Sequence, residues 1–167
     1  SKSKQGNYAK NEGVEGRVLV RQLRESGISV LASGILCLEE HTPENIQEDI
    51  DFMVGLRADL VQFMLYTPLP VTELYKRLKR KGLIRMDLPF EEWHGQKMLN
   101  WTHHAFPGNT AEQWLERAFS QDYQENHSSI FRMIETSFLG YQNLERCQVL
   151  DANLSIRREQ MQARVEH

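Results

Sequence analysis

A chain of 167 residues, 40% of them hydrophobic, is long enough to bury the core of one domain. A net charge of −3 gives no electrostatic case for nucleic acid or an anionic membrane surface, and no apolar run approaches the roughly 20 residues of a membrane helix. Three Trp, seven Phe and five Tyr argue against a chain that stays disordered.

Residues 1–13, "SKSKQGNYAKNEG", are polar and lack the apolar centre of a signal peptide. The chain opens at Ser1 and not at a methionine, as an excised or processed piece would. The expected setting is cytoplasmic, with Cys37 and Cys147 as free thiols.

Residues 14–86 alternate helix and strand. "GRVLVRQLRES" predicts a helix with Val18, Leu19 and Leu23 inward and a stop at Gly27. The run 28–38, "ISVLASGILCL", is apolar on both faces, the pattern of a strand buried in a parallel sheet. Thr42 is placed to cap the next helix, with Pro43 and Glu44 in its first turn. Ile46, Ile50, Met53 and Val54 give that helix one apolar face. The run 59–67, "DLVQFMLYT", predicts a second buried strand. "TELYKRLKRKG" follows as a helix with Leu74, Tyr75 and Leu78 inward. Such βαβ spacing predicts a parallel sheet with right-handed crossovers.

Residues 87–150 change in style. An irregular aromatic linker, 87–108, leads into two helices. In the first, Thr110 and Gln113 stand at capping-box spacing, and Trp114, Leu115, Ala118 and Phe119 form the apolar face. In the second, Ile130, Ile134, Phe138 and Tyr141 line up. Residues 151–167 read as a charged, solvated tail.

Taken by residue type, the chemistry is sparse. Glu39, Glu40, His41 and Glu44 follow a strand end, where α/β folds bind ligands, although polar loop residues look the same. His94, His103 and His104 are the material of a metal site, and so of a metal-dependent hydrolase. The adjacent pair should diverge, however, and no Cys or Glu completes a ligand spacing. Cys37, inside an apolar run, reads as a small hydrophobe. The basic run 76–82 suits a helix C-terminus. No GxGxxG, GxxxxGK[ST], GxSxG or CxxC occurs.

Two stretches, "ILCLEEHTPENI" (35–46) and "QFMLYTPLPVTELY" (62–75), resemble paired strand-end motifs of radical S-adenosylmethionine enzymes. The likeness is to the class with an upstream cobalamin-binding domain. "HGQKMLNW" (94–101) and the helices after it resemble that class's C-terminal extension, so the likeness spans roughly residues 13 to 145. Two family glycines are replaced, by Cys37 and Val71, and the cluster-binding CxxxCxxC is missing from this chain. The resemblance implies the last βα units of a partial parallel (β/α) barrel, two or three strands, followed by C-terminal helices. It places Ile35, Cys37, Glu39, Glu40, Leu65, Thr67 and Pro68 at the cofactor cavity, with Glu40 near the S-adenosylmethionine. It implies no catalytic residue and no metal ligand in this piece. The 4Fe–4S cluster and cobalamin would be held by the rest of the parent, and the isolated piece would bind none of these cofactors and be inactive. The implied partners are that missing part and, in isolation, further copies of the chain. A rival reading is a non-enzymatic α/β interaction domain that uses the aromatic segment around Trp93 and Trp101.

Overall fold

The computed structural model describes residues 15–146 and 152–166, so that residues 1–13 and Cys147 lie outside it. Helix α1 (Gly16–Glu25) leads into strand β1 (Leu31–Leu36), helix α2 (Ile46–Val54), strand β2 (Leu60–Leu65) and helix α3 (Glu73–Arg80). A single 3-10 turn, Phe90–Glu92, interrupts the linker. Helices α4 (Thr110–Asn126), α5 (Ser129–Arg146) and α6 (Ala152–Glu166) complete the order.

The two strands pair in parallel, with Leu31 opposite Leu60 and Leu36 opposite Leu65. The predicted parallel pairing holds, within shorter strands. Cys37 lies beyond β1, in a turn with φ 57°, not inside a strand. Alternation sends Ala32, Gly34, Leu36, Val61, Phe63 and Leu65 to one face. That face carries the helices: a Cβ on Gly34 would come 3.0 Å from Met53 of α2, and the Phe63 ring meets Phe119 of α4 edge-on at 5.3 Å. Gly34 therefore lets α2 close down on the sheet.

The other face carries Leu31, Ser33, Ile35, Leu60, Gln62 and Met64. It is not buried as the unbroken apolar runs predict: Leu31 is 57% exposed and Ile35 49%. A run apolar on both faces is the pattern of a sheet covered on both sides, and here this face is left partly exposed.

Helix α2 has the expected buried face, Ile46, Ile50, Met53 and Val54. Its start differs. Thr42 does not cap it; Asn45 is the boundary residue, and its side-chain oxygen accepts from the Thr42 N–H at 2.9 Å, closing a turn before the helix. The Thr42 hydroxyl instead holds the Glu44 carboxyl below the usual carboxylate range. Thr72 does cap α3, accepting from the Tyr75 N–H at 3.2 Å. Leu78 is buried there, with Leu74 and Tyr75 half-buried against the core. On α1 it is Val20 that is buried, while Val18 and Leu19 stay exposed. The predicted capping box at α4 does not form, because Thr110 is the first helical residue and its hydroxyl donates to the Pro107 carbonyl at 2.6 Å.

Helix α5 is the clearest reversal. Ile130, Ile134 and Phe138 face outward, and the residues it buries are Arg132, Thr136, Ser137 and Gly140. The cause lies at the N-terminal ends of the strands. Asp59, fully buried, accepts from the Val30 N–H (2.8 Å), Arg24 Nε (3.1 Å) and Thr136 Oγ1 (2.6 Å). Arg132 donates to the Asp59 carbonyl at 3.1 Å and to Asp122 of α4 at 2.9 Å. A buried carboxylate costs several kcal/mol unless it is paired, roughly what one or two buried apolar side chains return. Pairing Asp59 therefore decides which side of α5 turns in. At the same end Gly27, φ 79°, meets Gly140 backbone to backbone, where a side chain would collide.

Candidate functional site

The two strand-end motifs emerge side by side at the C-terminal end of the sheet. The Leu36 carbonyl accepts from the Tyr66 N–H at 2.8 Å, so the turns that follow β1 and β2 are neighbours. The linker closes over them. The Gly95 carbonyl accepts from the Leu65 N–H at 2.6 Å and caps β2's outer edge. Asn100 Nδ2 donates to the Pro68 carbonyl at 3.0 Å, and Trp101 Nε1 to the Tyr66 carbonyl at 2.8 Å. Trp93 and Trp101 are both buried, so the aromatic segment proposed as a docking surface is part of the core.

The β1 turn is held by two histidines. His41 is fully buried; its Nδ1 accepts from the Leu38 N–H at 3.2 Å, and its Nε2 lies 2.8 Å from Asp49 of α2. His103 arrives from the linker, with its Nε2 2.9 Å from the Leu38 carbonyl and its Nδ1 accepting from the Ala105 N–H at 3.0 Å. Its ring packs between Trp101 and Phe106 and stacks on His104 at 4.7 Å, so the adjacent histidines do not diverge. His94 stands apart, its Nδ1 accepting from the Gln96 N–H. Among the described residues no three His, Cys, Asp or Glu side chains come together as metal ligands.

The seven candidate residues divide by what they present. Ile35 points from the open sheet face. Glu40 is exposed at the rim. Glu39 is in an ion pair with Arg77 of α3. Thr67 is half-buried, its hydroxyl donating to the Leu65 carbonyl at 2.9 Å. Cys37, Leu65 and Pro68 have buried side chains. Burial, with Glu112 nearby, pushes the Cys37 thiol up to about 12, so it is neither a nucleophile nor a thiolate ligand at neutral pH. What these residues present to solvent is the apolar Ile35 side chain and the Glu40 carboxylate. They do not fit an iron–sulfur cluster. Sequence reasoning did not find Asn100 or the role of His103. Their partners are carbonyls 32 and 65 residues away, and such pairings leave no periodic trace.

The backbone adds a constraint. Cys37 and Val71 hold φ 57° and 72°, in the left-handed region that favours glycine. Val71, β-branched and 86% exposed, gains almost no burial in return. No family model, no curated protein and no solved structure matches the chain.

Proposed function

We propose that this chain is the C-terminal part of a cytoplasmic radical S-adenosylmethionine enzyme of the cobalamin-linked class. In this reading it is a partial-barrel fragment that supplies one wall of the cofactor cavity and no redox centre. One observation carries the reading. The two positions where the resembled motifs have glycine, Cys37 and Val71, are the two positive-φ residues of the strand-end turns. A local conformation suited to glycine is kept at both places although the glycines are gone. The open sheet face, with Leu31 and Ile35 exposed, suits the inside of a barrel whose other strands belong to the parent. Cluster and cobalamin belong to that missing part, and the isolated chain binds neither metal nor S-adenosylmethionine measurably. The test is the coding region upstream: an in-frame CxxxCxxC is expected, and a reading frame without one overturns the proposal. In the intact parent, Glu40→Ala should weaken S-adenosylmethionine binding by about 1–3 kcal/mol in calorimetry. Unchanged affinity would remove Glu40 from the site.

Alone, the chain covers its open face with copies of itself, and a homodimer is expected. Light scattering on a gel-filtration eluate checks this, and a clean monomer at tens of micromolar would count against it. The interaction-domain reading keeps one support, the outward stripe of Ile130, Ile134 and Phe138 on α5. Nucleic acid and membrane are not among the proposed partners. No helix among the described residues is long and apolar enough to cross a membrane.

A further inference from the structure

The peptide of Leu38 is gripped from both sides. Its N–H is bound by His41 and its carbonyl by His103, from a segment 65 residues away. Both rings bind in the same sense. A backbone N–H is always a donor, so each Nδ1 that accepts one carries no proton. The single proton of each ring is then on Nε2, where it is donated to Asp49 by His41 and to the Leu38 carbonyl by His103. Each imidazole is neutral, and its tautomer is fixed at both nitrogens.

We propose that His41 and His103 form an acid-sensitive clamp that holds the 37–41 turn while both rings are neutral and releases it when they are protonated. A second proton can only land on Nδ1. There it would point at the Leu38 N–H in His41 and at the Ala105 N–H in His103, donor against donor, so a charged ring loses that hydrogen bond.

The surrounding groups set the direction. Burial lowers the pKa of His103 most; the bond to the Leu38 carbonyl opposes this, His104 and His41 add to the lowering, and Glu39 opposes it. Asp49 of α2 faces His41. Glu39 is itself paired with Arg77 of α3, and Glu112 of α4 lies by the neighbouring Cys37. Because the folded pKa of His103 lies below the free imidazole value, the folded state binds fewer protons there than the unfolded chain. The stabilisation is complete above about pH 6.5 and is lost as pH falls from there towards the folded value. What is released is the turn that carries Glu39 and Glu40. The clamp stands whatever ligand that end of the sheet binds.

Nitrogen-15 NMR of the full chain tests it. At pH 8 both rings should show the Nε2–H tautomer. Between pH 7.5 and 5.5 the Leu38 amide should lose exchange protection several-fold, corrected for intrinsic rate. The Val30 amide, bound to Asp59 at the other end, should not follow. In a His41→Asn, His103→Gln variant, Asn keeps an acceptor for the Leu38 N–H and Gln keeps a donor for its carbonyl. Neither titrates, so the response should flatten. Flat Leu38 protection in the unaltered chain, an equal loss in the variant, or an Nδ1–H tautomer on either ring overturns the clamp. If the variant does not fold, the tautomers and the Leu38 response of the unaltered chain decide.

Discussion

The two ends of the same short sheet are fastened by different chemistry. At the N-terminal ends of the strands, Asp59, Arg24, Arg132 and Asp122 form a buried ionic network with Thr136. Guanidinium groups stay charged at any pH a protein meets, and helices α1, α4 and α5 each contribute to the network. At the C-terminal ends the fasteners are two imidazoles, an amide and an indole that bind turn carbonyls and N–H groups, with His41 also bonded to Asp49. The first end fixes the fold. The second holds two turns in backbone conformations that cost energy. In parallel α/β proteins stability residues gather below the sheet and ligand residues above it. This chain has its buried ionic network at the lower end.

The largest effect should come from breaking the ionic end. Asp59→Ala removes the buried acceptor of the Val30 N–H, the Thr136 hydroxyl and Arg24 Nε, and should cost about 3–5 kcal/mol in denaturant unfolding. A loss below 1 kcal/mol would mean that water fills the gap and that the two ends are less different than their chemistry implies.

The smallest effect has the opposite sign and belongs to the other end. Val71→Gly relieves a left-handed β-branched residue that buries almost nothing, worth roughly 1–2 kcal/mol. Added freedom in the unfolded chain takes back about 0.4–1 kcal/mol. A net gain of up to about 1.6 kcal/mol is expected, read as a higher denaturation midpoint at unchanged slope. A loss would show that the Val71 side chain does more than its exposure indicates.

How much of this the sequence carried varies with the range of the interaction. Strands β1 and β2, the apolar face of α2 and the stop at Gly27 depend on residues within a few positions, and they were legible. The inward face of α5 was not. Its apolar stripe obeys helical periodicity, but the partners that reverse it, Arg24, Asp59 and Asp122, lie elsewhere in the chain. At the candidate site the strand-end turns were legible as motifs. The left-handed backbone at Cys37 and Val71 was not, since those residue types argue against it. The histidines were legible as chemistry without a role, because the role is set by a peptide to which only the fold brings them.

The ionic end also orders events in time. Val30 and Asp59, joined through the crossover, are 29 residues apart, whereas Arg24 meets Thr136 across 112. Two doublings of loop length add about 1.2 kcal/mol to the entropy of closure, at roughly 0.6 each. The β1–α2–β2 unit is therefore expected to close first, with α5 docking afterwards onto the Asp59 carboxylate. A substitution on the inward side of α5 then leaves the rate of folding almost untouched and hastens unfolding. The helix that satisfies the buried Asp59 carboxylate is expected to set the lifetime of the folded state without steering the chain towards it.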